Sequence, residues 1–141
     1  MKPGAILEAA LYADDLDAAE AFYGGVLGLE RILRAGNRHV FYRCGGVILL
    51  IFNPDKTEEP GSGPLPVPAH GARGPGHLCF SATATEIDAW RAALEAANVA
   101  IEADFRWPNR ARSIYFRDPA GNSLEFAERA LWFEDADPQD C

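Results

Sequence analysis

The sequence predicts an α+β protein in which two β-α-β-β-β modules form a half-open mixed β-barrel around a cleft. Three observations carry that reading. Short runs of alternating apolar residues, bounded by turn residues, recur along the chain and mark strands. The runs fall into two groups, each opening strand–helix and closing with three strands. Between the groups, residues 54–76 are rich in proline and glycine and poor in large apolar side chains.

The elements follow in order. Residues 5–13 alternate as a strand, and Asp14-Asp15-Leu16-Asp17 then supplies helix-capping chemistry, with Asp15 as the cap. A helix runs through Ala18, Ala19, Phe22, Tyr23, Val26 and Leu27 to a stop at Gly28. Three strands are expected over 30–34, 38–44 and 46–53, turning at Gly36-Asn37 and Gly45-Gly46. The first module is thus 1–53, and 54–76 is a linker or lid loop. The second module, 77–128, repeats the pattern with a strand over 77–82 and a helix opening at Thr85-Glu86-Ile87-Asp88. The apolar stripe of that helix is Ile87, Trp90, Leu94 and Ala97, and Asn98 suits a left-handed cap. Strands over 99–105, 112–117 and 122–127 complete the module, and 129–141 is a tail in which Leu131-Trp132-Phe133 can pack on the barrel or a partner subunit.

Composition narrows the function. A net charge of −8 disfavours nucleic acid and anionic membranes as partners. No apolar run approaches the ~20 residues that a membrane helix needs. Cys44, Cys79 and Cys141 are odd in number and widely spaced. That pattern fits reduced thiols in the cytoplasm and argues against a thiolate zinc site. The N-terminus lacks a signal-peptide layout, because Lys2 is followed at once by Pro3-Gly4 and a strand.

Candidate chemistry begins at Glu8, a carboxylate inside the apolar run Ile6 to Tyr12. Buried there, it needs a cation, a basic partner or a proton. Glu8 and His77 occupy the same slot at the start of their modules. Phe41-Tyr42-Arg43 matches Tyr115-Phe116-Arg117, and with a second turn two residues longer, Leu49 falls opposite Glu125. Strand parity points Glu8, His77 and Glu125 into the common cleft. Two carboxylates and an imidazole suit a divalent cation with open coordination positions: Mn²⁺, Mg²⁺ or Fe²⁺ by the hardness of the donors, with Zn²⁺ and Ni²⁺ also open. The plainer alternative pairs Glu125 with Arg112 or Arg117. His39 and His70 read as surface or loop residues, and Cys79 as a small packing residue. Ser113, Tyr115, Trp107 and Arg112 are candidates for binding a substrate beside the metal.

These residues resemble the vicinal oxygen chelate superfamily, the glyoxalase, bleomycin-resistance and extradiol-dioxygenase group. The motifs that carry the likeness are Ala21-Phe22-Tyr23-Gly24-Gly25-Val26-Leu27-Gly28, Gly76-His77-Leu78 and Asp118-Pro119-Ala120-Gly121-Asn122-Ser123-Leu124-Glu125, within about residues 5–128. The resemblance implies metal positions at Glu8, Leu49, His77 and Glu125. Leucine departs from the four-ligand glyoxalase pattern, and Glu8 stands where three-ligand relatives carry histidine. Ser113 and Tyr115 match substrate-side positions of fosfomycin-resistance enzymes, but Ala10 and Glu134 do not supply the groups such enzymes use for the phosphonate. The expected activity is a glyoxalase-like lyase or isomerase acting on a small oxygenated substrate. An extradiol-type dioxygenase and a metal-free small-molecule binding protein are the alternatives. A homodimer is implied by the family.

Overall fold

The computed structural model describes residues 1–61 and 63–134. The chain divides into two compact units, Met1–Gly76 and His77–Cys141. Each holds one open, four-stranded mixed sheet with a helix, an α+β arrangement as the sequence predicts.

In the first unit, β1 (Glu8–Tyr12) leads into α1 (Leu16–Glu20), which continues as a π-helical turn over Ala21–Val26. The strands β2 (Glu30–Ala35), β3 (His39–Cys44) and β4 (Val47–Phe52) follow. The sheet order is β1-β4-β3-β2, with β1 parallel to β4 and the other pairs antiparallel. Asp15 caps α1 by accepting the Ala18 N–H at 2.9 Å, and Gly28 ends the helical stretch at φ +69°. Strand parity sorts the side chains. Leu11, Ile51, Val40, Leu49 and Tyr42 share one face and are buried with Leu16, Ala19, Phe22 and Tyr23. Glu8, Ala10, Tyr12, Leu50, Phe52, Phe41 and His39 share the other.

The second unit repeats this plan with β5 (His77–Ser81), α3 (Ala84–Ala96), β6 (Ala103–Arg106), β7 (Arg112–Arg117) and β8 (Ser123–Ala127), in the order β5-β8-β7-β6. Here α3 starts just before the expected position because Thr83 and Glu86 form a reciprocal capping box. Ile87 and Leu94 are fully buried, each contributing about 1.5–3 kcal/mol of apolar burial. Asn98 adopts φ +59°, the left-handed cap that its side chain favours. Strand β6 begins four residues later than the expected 99, since the Val99 N–H closes on Leu94 O at 2.9 Å. The β7–β8 turn is fixed by Asp118, whose carboxylate accepts both the backbone N–H and the side-chain amide of Asn122, each at 2.8 Å.

Four expectations need correction. The β7–β8 connection is one residue longer than its β3–β4 counterpart, because Phe41 faces Leu50 as Tyr115 faces Glu125. Leu50, and not Leu49, therefore occupies the slot equivalent to Glu125; Leu49 points into the core. Glu8 is exposed, so it is not the buried carboxylate that its apolar neighbours suggest; Ile6 and Leu7 before it are 69% and 76% exposed. Residues 54–76 are not wholly irregular. A short helix α2 (Pro54–Thr57) is capped by Asn53, and the strap beyond it returns to the sheet, its His70 N–H donating to Thr57 O at 2.9 Å. Finally, His39 opens β3, half-buried among aromatic rings, and is neither a surface nor a loop residue; His70 lies in the loop as expected, its ring against Phe52. At the other end, Trp132 and Phe133 are exposed; residues 135–141 of the expected tail, Cys141 included, lie outside the described residues.

Candidate metal centre

The second unit gathers two of the expected donors. His77 opens β5 and Glu125 lies in the middle of the neighbouring strand β8. His77 Nδ1 is 2.9 Å from Ser123 O. A carbonyl only accepts, so Nδ1 carries a proton, and in the neutral imidazole Nε2 presents its lone pair. That lone pair faces Glu125 Oε2 at 3.4 Å. The carboxylate is 4% exposed, and its other oxygen, Oε1, has no hydrogen-bond partner.

Two acceptors facing each other, one on a buried carboxylate, call for a positive charge between them. Metal bonds of ~2.0–2.2 Å at ordinary coordination angles separate two donors by roughly 3.0–3.5 Å, so the 3.4 Å spacing fits two ligands of one ion. The orienting carbonyl behind His77 is the outer support that metal-binding histidines usually have. The donor set therefore fits a divalent cation. Among the described residues, no cluster of three or more His, Cys, Asp or Glu side chains stands at metal-holding distance. Glu8 belongs to the first unit, exposed, at the register position equivalent to His77: it pairs with Ile48 as His77 pairs with Ser123.

Among the described residues, no arginine neutralises Glu125. Arg117 is held by Glu102 at 2.7 Å and Arg112 by Asp104 at 2.9 Å, so neither makes the salt bridge that the plainer sequence reading allowed. Cys79 is exposed on the Glu125 face, and desolvation of its thiol, followed by the Glu125 charge, pushes it up to about 12, which keeps it protonated at neutral pH. Burial and the adjacent Glu125 likewise push Tyr115 up to about 12. Its ring stacks with those of His77, at 6.2 Å, and Phe105, at 5.9 Å and nearly parallel.

The substrate-side candidates separate by face. Tyr115 and Ser113 share the face of Glu125, but Ser113 is fully buried and its hydroxyl accepts the Trp107 indole N–H at 2.8 Å. Trp107 in turn packs against Phe105. Arg112 lies on the opposite face with Ile114 and Phe116. Its guanidinium is committed to Asp104 and Asp88, which also hold it well above its ordinary range. Sequence reasoning missed Ser123, whose role is played by a backbone carbonyl and so leaves no side-chain signal.

Two open mixed sheets of this topology, with donors at matched positions, define the class. The chain belongs to the Glyoxalase/Bleomycin resistance protein/Dioxygenase superfamily, whose family model matches residues 5–126. It is similar to the crystal structure of lactoylglutathione lyase from Agrobacterium tumefaciens: 49% identity, 93% of this chain and 98% of that one covered, TM-score 0.88. A glyoxalase/bleomycin resistance protein/dioxygenase from Nocardioides is 25% identical over 98% of this chain and 89% of that one, at TM-score 0.73. An integron cassette protein from the mobile metagenome of the Halifax Harbour sewage outfall shares the fold at 23% identity, 89% and 99% coverage and TM-score 0.69. No curated protein matches the chain. Among the described residues, no helix is long and apolar enough to cross a membrane.

Proposed function

We propose that the protein is a divalent-metal-dependent, glyoxalase-like lyase or isomerase that binds a small substrate through two neighbouring oxygens. The observation that carries the reading is the His77–Glu125 pair: an imidazole nitrogen oriented by Ser123 O, facing a buried carboxylate with an unpartnered oxygen. Glu8, at the matching position of the first module, is the third ligand in this reading. When bound, the ion supplies Lewis-acid polarisation of the substrate oxygens. Glu125 and His77 hold it, and Tyr115, protonated at neutral pH, is available only as a hydrogen-bond donor beside Glu125. Ser113 and Trp107 stiffen that wall of the site through their mutual hydrogen bond. Arg112 then serves the substrate side only by holding β6 and β7 together through Asp104. Leu50, at the register position equivalent to Glu125, supplies neither a fourth donor nor a second base, so proton exchange between carboxylates at those two matched positions is not available to this chain.

The reading extends to a cytoplasmic homodimer, supported by the widely spaced thiols and by exposed Trp132 and Phe133. Its test is formation of lactoylglutathione from the isomeric hemithioacetal, since the 49%-identical relative is a lactoylglutathione lyase. Activity should vanish on chelation and return with a divalent metal. Oxygen consumption with a catechol, or tight ligand binding that survives metal removal, would replace this reading with the dioxygenase or the sequestering protein.

A further inference from the structure

On the face of Glu125, the second unit carries a row of aromatic rings that starts at the candidate metal centre. Tyr115 stacks with His77, with ring centres 6.2 Å apart and planes at 18°, and with Phe105 at 5.9 Å and 1°. Phe105 meets Trp107 edge-on at 4.9 Å. Strand register produces the row. Tyr115 faces Ala103 and Phe105 faces Ser113 across β6–β7, so each ring stands opposite a small side chain and the two rings meet diagonally. Trp107 is fixed at the far end, its indole N–H donating to the Ser113 hydroxyl and its backbone N–H to Ala111 O, each at 2.8 Å.

Phe105 lies on the edge strand of its sheet and is 40% exposed, while Tyr115 and Trp107 are half-buried. The wall is also neutral: Arg117, which β7 places on the same face, is bound by Glu102 at 2.7 Å. Fixed rings that are partly open to solvent and continuous with the His77–Glu125 pair suit the apolar part of a ligand whose polar part lies at that pair. An aliphatic group gains there by buried area alone, whereas a planar ring gains stacking in addition.

We propose that this wall selects substrates with an aryl group next to the two chelated oxygens, and that Phe105 is the residue that sets the preference. The inference rests on the metal reading of His77 and Glu125. It is tested by calorimetric titration of the full-length, Zn²⁺-loaded protein with benzohydroxamate and acetohydroxamate. These probes present the same two neighbouring oxygens and differ only in phenyl against methyl. Benzohydroxamate should bind about tenfold or more tighter, and Phe105→Ala should cut that preference about threefold or more. Phe105→Leu, which keeps apolar bulk but not the ring, should also lose most of the preference and serves if Phe105→Ala fails to fold. Tyr115→Phe, which keeps every ring, should retain it. Equal affinity for the two hydroxamates, or an undiminished preference in a folded Phe105 variant, would overturn the proposal. The same titrations in chelator separate the wall from the metal. A phenyl preference that survives there and falls with Phe105 would end the metal reading and leave the wall standing. Metal-dependent binding without phenyl preference would end the wall alone, and no binding in either condition would overturn both.

Discussion

Glu125→Gln separates a metal-bound carboxylate from a carboxylate held by a charged histidine. Glu125 is 4% exposed, with Oε1 unpartnered and Oε2 3.4 Å from an imidazole nitrogen. Without metal, a buried charge so poorly satisfied is a destabilising feature. The amide removes the charge and can donate to His77 Nε2, which should stabilise the metal-free protein by about 1–2 kcal/mol. With metal at a hundred times its dissociation constant, the wild type should gain about 2.7 kcal/mol. For a chain of this size that corresponds to roughly 8 °C in Tm. Thermal unfolding with chelator, and then with Mn²⁺, Ni²⁺ or Zn²⁺, measures both effects. The variant should melt at or above the wild type in chelator and show no metal shift. A variant several kcal/mol less stable in chelator, with the metal shift intact, would mean that protonated His77 is the true partner, and the reasoning would fail.

Other consequences can be measured independently. Arg112→Met should cost about 1–2 kcal/mol, because it leaves partly buried Asp104 without its main partner, and chemical denaturation reads that loss. Asp104 is held down to about 2 chiefly by Arg112. Its depressed value gives stability that is present above the ordinary carboxylate range and lost as pH falls toward 2, so acid unfolding should begin at higher pH in the variant. Tyr115 and Tyr42, both pushed up to about 12 by burial first, should be missing from the phenols that ionise near pH 10 in an ultraviolet titration. Raised values of this kind mean that stability declines as pH climbs from 10 toward 12. Gly71→Ala puts a Cβ 2.6 Å from Glu58 Cγ, so the exposed Glu58 side chain must turn away and give up Arg73, a loss of no more than about 1 kcal/mol that thermal unfolding reads.

Much of this was legible in the sequence because local chemistry and tertiary context agree. The strand runs, the Asp15 cap, Gly28 and Asn98 all sit where their side chains or backbone freedom demand. Register was harder to read. The turn before β8 is closed by buried Asp118 and Asn122, and counting from motif to motif cannot tell a one-residue excess from two; the error moved the fourth slot from Leu50 to Leu49. Glu8 was misjudged because an apolar run signals burial only where a neighbour covers it, and Ile6 and Leu7 precede the ladder. His39 was misjudged for the opposite reason, because the Phe41 and Phe52 rings cover it, and the loop that carries His70 is better ordered than its composition suggests. Pro- and Gly-rich chain looks unstructured, yet one backbone bond to Thr57 O and one ring contact suffice to seat His70 against Phe52. The His77–Glu125 pair was readable from parity, while the carbonyl that orients it was not.

The central claim is that Glu8, His77 and Glu125 together hold one divalent ion. Its most direct test is elemental analysis of purified protein after loading with metal and desalting, beside Glu8→Ala, His77→Ala and Glu125→Gln. The account expects about one equivalent per chain in the wild type and a loss of at least tenfold in affinity in each variant. Less than about a tenth of an equivalent in the wild type, or the same content in all four proteins, would contradict it.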